Sequence, residues 1–518
     1  MRFGSLIRES GWLLLLSFVL LWPAIYNGQP FFFPDTTAYI RGTDAAVMKL
    51  THHTTDWSQP ADEDHSIENV GSLKAESGAV RDDAAAKSRP TTSVSSVKEK
   101  TVLAGRSPYY GGLLYSGEIT GGFWLPVFLQ GLSVLFAIMF VLRAAGIPAW
   151  SSLPIIGLIL AATTSLPFYT SFLMPDLFGA VTILGCSALI ATRRPLPLLD
   201  YTIWAILLSA ALIFHDSHKA IAWGMFALGI VWNIRKGWAN WRGFVTMALA
   251  LGIAAIAQLA FNYGVSRLVG SAPLYPPFLV ARVIEDGPGY RYLKATCPGN
   301  GFAVCQFLDR LPMNSDEFLW AARIRPGSGR PGVFAEAPPE TKRQLAAEQL
   351  PLVLNVLRFD PTGEALAGLR HALRQLTLTG LSEFQYTDEE KQFFEYKVPV
   401  SDLLPLRGSA AYQGTVPIRG FEALQLGVVV AAAIFLVVAL VRSSASVTQT
   451  LGAAALTAWI LVGMLVNGVV CGVLSGPHDR YSVRVLWLLP FAALLVGREI
   501  WPNRFRFNET STASLGTL

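Results

Sequence analysis

Charge is scarce in this chain: 15% of its 518 residues are Asp, Glu, Lys or Arg, against 52% hydrophobic. A soluble globular domain carries about 25% charged residues, so that class is excluded, and a mean hydropathy of +0.41 agrees. Nucleotide-binding loops are missing as well: no Walker-type element occurs, and the one GxGxxG string, residues 327–332, holds Pro331 and is followed by Pro338-Pro339, which leaves it no helix to open. No internal repeat is present and the apolar runs hold almost no charge, so the usual pointers to a transporter are lacking. The formal net charge of +5 does not indicate nucleic acid, because the basic residues gather in short segments between apolar runs. Cysteine is limited to four residues: Cys186 and Cys471 lie in apolar runs, whereas Cys297 and Cys305 flank a Gly/Pro-containing segment of a long polar region. A small-loop disulfide is expected there if that region faces an oxidising compartment.

What the chain has in quantity is apolar runs of roughly 17–25 residues, the length a helix needs to cross the hydrocarbon. About ten are legible, near 10–27, 122–142, 152–171, 176–192, 200–215, 218–233, 243–263, 421–441, 450–474 and 483–498. The fold class expected is therefore an all-α polytopic membrane protein. The N-terminal run follows Arg2 and Arg8 as a signal peptide would, but Trp22-Pro23-Ala24-Ile25-Tyr26 offers no small-x-small cleavage site, so it reads as a first span. Arg2, Arg8, Arg143, Arg193, Arg194, Arg235, Lys236, Arg242, Arg442, Arg498, Arg504 and Arg506 fall on one side, which the positive-inside rule makes cytoplasmic, with both termini. Three regions follow: an N-terminal module of seven spans over 1–263, a mostly helical extracytoplasmic cap over 264–420, and a C-terminal module of three spans over 421–518.

Within the first outer loop, residues 51–101 carry few large apolar side chains and read as a disordered insertion. Order is expected to return at Gly105-Arg106-Ser107-Pro108-Tyr109-Tyr110-Gly111-Gly112, as a tight turn on the membrane surface. In the cap, residues 340–380 show helical periodicity through Leu345, Leu352, Val356, Leu366, Leu369, Leu373 and Leu376, interrupted at Asp360-Pro361.

The same topology brings four polar corners to one membrane boundary: Asp35 after the first span, Asp176 before the fourth, His215-Asp216-Ser217-His218-Lys219 before the sixth, and Asp479-Arg480-Tyr481-Ser482-Val483-Arg484 before the last. Ionisable groups from distant parts of the chain at one depth are the pattern of a site. Plainer roles compete at each position. Asp35 and Asp176 suit helix N-caps, His215 and His218 suit simple hydrogen bonding as well as a metal pair, and Arg480 and Arg484 suit snorkelling. Spaced i, i+4 on one helix face, those two arginines also suit a phosphate grip.

Phe33-Pro34-Asp35 with Tyr39, Arg106-Ser107-Pro108-Tyr109-Tyr110-Gly111, Met174-Pro175-Asp176-Leu177-Phe178 and Asp479-Arg480-Tyr481 before Leu489-Pro490-Phe491 together resemble the GT-C superfamily of integral-membrane glycosyltransferases. The resemblance covers the membrane region and not 264–420, and the first loop departs from it by lacking a paired Asp-Glu and by carrying the insertion. It implies a sugar donor linked to polyprenyl phosphate, an envelope acceptor (glycolipid, polysaccharide or protein), and a multi-pass protein of the bacterial inner membrane. Carried over by position, Asp35 is the base and Asp176 the second acid, with Arg480, Arg484 and Lys219 holding the phosphate. Tyr39, Arg106, Tyr109, Asp216, His218 and Tyr481 complete the expected substrate site. Whether a divalent cation, magnesium or manganese, joins the carboxylates stays open, as do a polysaccharide polymerase or ligase, a lipid or sugar transporter or flippase, and a non-catalytic assembly protein.

Overall fold

A computed structural model describes residues 3–58, 99–192, 195–236, 240–321, 332–442 and 452–500. Arg2, Arg193, Arg194, Arg504, Arg506 and residues 59–98 of the expected insertion lie outside them. The described residues are helical, without a named strand, and hold two isolated bridges, Phe31 with Phe172 and Leu103 with Leu274. In chain order the helices that position the site are α1 (Phe3–Leu20), α2 (Pro34–Thr51), α3 (Pro108–Ile119), α4 (Trp124–Ala144), α5 (Ala149–Thr163), α6 (Leu177–Ala191), α7 (Leu198–Phe214) and α8 (Asp216–Lys236). They continue with α9 (Trp241–Val269), α10 (Phe278–Glu285), α11 (Gln349–Phe359), α12 (Pro361–Thr377), α13 (Ile418–Arg442), α14 (Gly452–Leu474), α15 (Asp479–Leu486) and α16 (Leu488–Ile500).

Each of the ten apolar runs falls on helix. Four of the helices, α4, α9, α13 and α14, are long and apolar enough to cross a membrane, and α5, α6 and α7 are shorter apolar helices of the same bundle. α6 is apolar on every side and accordingly buried on every side from Leu177 to Ile190. It is the bundle's central helix, packed against α4, α7, α8 and α14. Gly185 permits that closeness, because a Cβ there would stand 2.8 Å from the Leu208 side chain. α13 is the opposite case and exposes most of its surface, as a peripheral span facing lipid would.

Two spans expected to be continuous are broken. The run 152–171 stops at Thr164, whose backbone is extended, and Ser165 Oγ donates to the Val483 carbonyl instead. The last run separates into α15 and α16 because Pro490 has no N–H for the Leu486 carbonyl. Both breaks lie near the polar corners.

Two further expectations need correction. Residues 105–112 are not a tight turn: Ser107 accepts from the Tyr109 N–H and Pro108 opens α3, a cap and N1 proline in their favoured places. The insertion is also shorter than 51–101 at its described ends. Trp57 is 2% exposed, with Arg41 stacked on its ring and its indole N–H donated to Asp402 at 2.8 Å, and Thr101 is fully buried.

The region 264–420 is divided between two cores. Residues Val280 to Val356 enclose their own apolar cluster, which includes Leu293, Phe318 and Phe334. Leu381, Phe384, Tyr386, Phe394, Leu403 and Leu406 instead join the core of the membrane bundle. Phe384 enters a bowl formed by Phe31, Phe168, Tyr169 and Phe172, with ring centroids 5.1–5.5 Å apart, and the Phe32 N–H donates to Tyr386 Oη at 2.8 Å. Cys297 and Cys305 are joined by a disulfide in the part with its own core.

Candidate functional site

The two carboxylates at the bundle boundary are held for purposes other than capping. Asp35 occupies the first turn of α2, but the cap is Phe33, whose N–H donates to Thr36 Oγ1 at 3.0 Å. Freed from that task, the Asp35 carboxylate meets Arg106 Nη2 at 2.5 Å and stands 3.9 Å from Arg480 Nη1. Asp176 precedes α6 in helical backbone geometry and makes no side-chain cap bond. Its carboxylate, 3% exposed, meets Arg484 Nη1 at 3.1 Å and lies 4.0 Å from Arg480 Nε.

α15 carries both arginines, as the i, i+4 spacing implied, and they differ in their surroundings. Arg484 is fully buried, and besides Asp176 its Nη2 donates to Asn467 Oδ1 at 3.0 Å, Ser217 Oγ at 3.2 Å and Cys471 Sγ at 3.2 Å. Gly179 on α6 makes the room, since a Cβ there would approach Arg484 Nε to 3.2 Å. Arg480 is 12% exposed and lies over the Phe33 ring, 4.5 Å from its centroid, and beside Tyr481 at 4.9 Å. Its Nη1 is buried and has no hydrogen-bond acceptor among the described residues. Both Nη atoms of Arg484 are thus engaged inside the protein, with its Nε lacking an acceptor among the described residues, while Arg480 is partly exposed and keeps Nη1 without one.

Around these pairs, Tyr39 is buried with its ring edge-on to Tyr110 at 5.1 Å, and burial raises its phenol above the ordinary range. Gly111 lets α3 close on α2, because a Cβ there would meet the Tyr39 carbonyl at 2.4 Å. Tyr169 Oη donates to the Arg480 carbonyl and Asn467 Nδ2 to the adjacent Tyr481 carbonyl, which fixes α15 at the Arg480 end of its arginine pair. On the cap side, Gln375 Nε2 donates to the His478 carbonyl at 2.7 Å, and Asp479 Oδ1 accepts from the Gly380 N–H at 2.6 Å.

The expected site residues therefore separate into those brought together and those not. Asp35, Tyr39, Arg106, Asp176, Arg480, Tyr481 and Arg484 form one cluster. Ser217 joins it through Arg484, and neighbouring His218 is fully buried with Nδ1 2.8 Å from the Ala211 carbonyl. Tyr109 does not join: its hydroxyl donates to the Ala257 carbonyl on α9. Lys219 is engaged by Asp216 at 2.5 Å and by Gln258 at 3.1 Å, and Asp216 is 65% exposed.

Two residues of the cluster escaped the sequence reading. Asn467 is a lone amide inside the apolar run of α14, and an intramembrane polar residue is itself a signal. Glu383 had none: it sits in a short turn before Phe384, and only the aromatic bowl carries it to the site. Burial pushes its carboxyl up to about 7, while Arg480 draws it down and Glu390, Asp176 and Asp479 oppose ionisation.

A divalent cation does not fit the donor set. Asp35 and Asp176 are each paired with guanidinium groups, and among the described residues no cluster of three His, Cys, Asp or Glu could hold a metal. His215 and His218 stand with ring centroids 5.2 Å apart, and among the described residues no third His, Cys, Asp or Glu joins them. With the Glu383 carboxyl protonated, three guanidiniums around the Asp35 and Asp176 carboxylates leave one surplus positive charge, which suits an anion. A cleft of about 420 Å³ lined by Arg143, Ile147, Trp150 and Asp200 shares no residue with this cluster.

No family model matches the chain, and no curated protein matches it significantly. Solved structures similar to it include ArnT from Cupriavidus metallidurans bound to undecaprenyl phosphate, at 16% identity and a TM-score of 0.32, covering 96% of this chain and 78% of that one. The apo state of the same protein matches at 15% identity and a TM-score of 0.32, covering 95% of this chain and 77% of that one.

Proposed function

We propose that this protein is a membrane glycosyltransferase that moves a sugar from a polyprenyl-phosphate carrier to an envelope acceptor on the extracytoplasmic face. The observation that carries the reading is the boundary cluster itself: Asp35 and Asp176 among Arg106, Arg480 and Arg484, with Arg480 Nη1 left without an acceptor among the described residues. In the proposed reaction an acceptor hydroxyl attacks the anomeric carbon and gives its proton to Asp35. The bond from that carbon to the phosphate oxygen breaks, and the polyprenyl phosphate leaves with the electron pair. Arg480 receives the growing negative charge and Arg106 orients Asp35. Asp176 and Arg484 act as a positioning pair that fixes α15, and through it Arg480. A carrier dissolved in the bilayer also suits a chain without a nucleotide-binding loop.

The test is mass profiling of envelope glycans and glycolipids from a deletion strain complemented with wild type, Asp35→Asn or Arg480→Ala, at matched membrane levels. A sugar-sized mass restored by wild type and by neither variant supports transfer and identifies the product. Full restoration by Asp35→Asn removes the base assignment and favours a transporter or assembly role.

A further inference from the structure

We propose that α11 and α12, the helical pair that the sequence places outside the membrane, lie in the leaflet on the site side and anchor the cap to lipid. Both helices are strongly two-faced. Leu352, Val353 and Val356 of α11 and Ala367, Ala372 and Gln375 of α12 turn inward. Leu354 and Leu357 of α11, with Leu366, Leu369 and Leu373 of α12, turn outward, each at least 42% exposed. Leucines at 366, 369, 373 and 376 follow the i, i+3, i+4 rule of a single face, so the exposed stripe is continuous rather than scattered.

What covers that face follows from the neighbour of α12. A Cβ at Gly472 would meet the His371 carbonyl at 2.8 Å, and one at Gly468 would meet the Leu376 side chain at 2.6 Å. α12 therefore lies directly against α14, a helix long and apolar enough to cross the membrane, and descends along its last turns. Gly468 is six residues inside the end of α14 at Leu474. At 1.5 Å per residue this sets Leu376 about 9 Å below the end of the span. α14 itself exposes Leu465, Val469 and Leu474 over the same turns.

Charge agrees with this placement. Arg358, Arg370 and Arg374 are exposed among the leucines, and arginines at that level set their aliphatic stems in hydrocarbon while their guanidiniums reach lipid phosphates. The occupant of the face is thus phospholipid, with acyl chains on the leucines and headgroups on the arginines. Because α12 also carries Gln375, which clips the corner before α15, lipid contact on one side of the helix steadies the site on the other.

The experiment uses the full chain in nanodiscs of phosphatidylethanolamine and phosphatidylglycerol, with nitroxide labels at Leu354→Cys, Leu369→Cys or Leu373→Cys. Unlabelled background is checked with wild type, whose two free cysteines are buried. Collision with oxygen is compared with collision with a nickel chelate. Val437→Cys on α13 supplies the lipid reference and Lys294→Cys the water reference. Ratios at Leu369 and Leu373 nearer to that of Val437 support the anchor. Ratios nearer to that of Lys294 overturn it, and so does spin–spin broadening, which would show a second copy on this face. None of these outcomes depends on enzymatic activity.

Discussion

Asp176 and Arg484 form the buried pair on which the site is built, and its removal has a calculable consequence. The carboxylate is 3% exposed and the guanidinium fully buried, with nitrogen and oxygen 3.1 Å apart. Asp176→Asn keeps the shape and removes the charge, leaving Arg484 with the neutral acceptors Asn467, Ser217 and Cys471. Breaking a buried ion pair from one side costs about 3–5 kcal/mol, because the remaining charge stays desolvated. At about 1.4 kcal/mol per decade, that is a loss of more than a hundredfold in the folding equilibrium. Arg484→Met should lose a comparable amount. The double variant should lose clearly less than the sum of the two, since no uncompensated charge remains. Unfolding in detergent micelles by denaturant titration, with all four members of the cycle side by side, reads the coupling directly. Single variants within about 0.5 kcal/mol of wild type, or strictly additive losses, would refute the claim that this pair holds α15 in place.

Asp35→Asn should cost less stability than Asp176→Asn, because its carboxylate is 22% exposed against 3%, while transfer is lost, as melting and product analysis on the same preparation would show. Glu383, with its carboxyl at about 7, is neutral below that pH and adds a negative charge beside Arg480 above it. Affinity for an anionic carrier lipid should accordingly fall as pH rises through 7, and Glu383→Gln should flatten the profile in a lipid-binding titration. Gly179→Val should displace the Arg484 guanidinium, because even a Cβ lies 3.2 Å from its Nε, and is expected to reduce both stability and transfer. A variant matching wild type in melting and product assays would show that the space is not needed.

The polytopic helical class and nearly every helix of the bundle were legible in the chain, because membrane hydrocarbon imposes one requirement on every span: a run of apolar residues long enough to cross. The four polar corners were legible for the same reason, since charge is costly within such runs and therefore conspicuous at their ends. Less could be read where one local pattern suits several structures. Asp35 and Asp176 both carry the local mark of an N-cap, and only the arrival of Arg106, Arg480 and Arg484 from elsewhere in the chain shows their carboxylates engaged otherwise. The breaks at Thr164 and Trp487 depend on hydrogen bonds across the bundle and on one proline inside an apolar run.

Apolar length and the placement of charge determined, by themselves, that this is a helical membrane protein whose polar chemistry gathers at span ends. Tertiary packing alone decided which of those groups meet: that Tyr109 and Lys219 turn to α9, that Arg484 is buried against Asp176, and that Glu383 reaches the site at all. The physical reason is range. Hydrophobic length is a property of each segment and survives in one dimension, whereas an ion pair between residues 308 positions apart exists only when two helix ends are packed side by side.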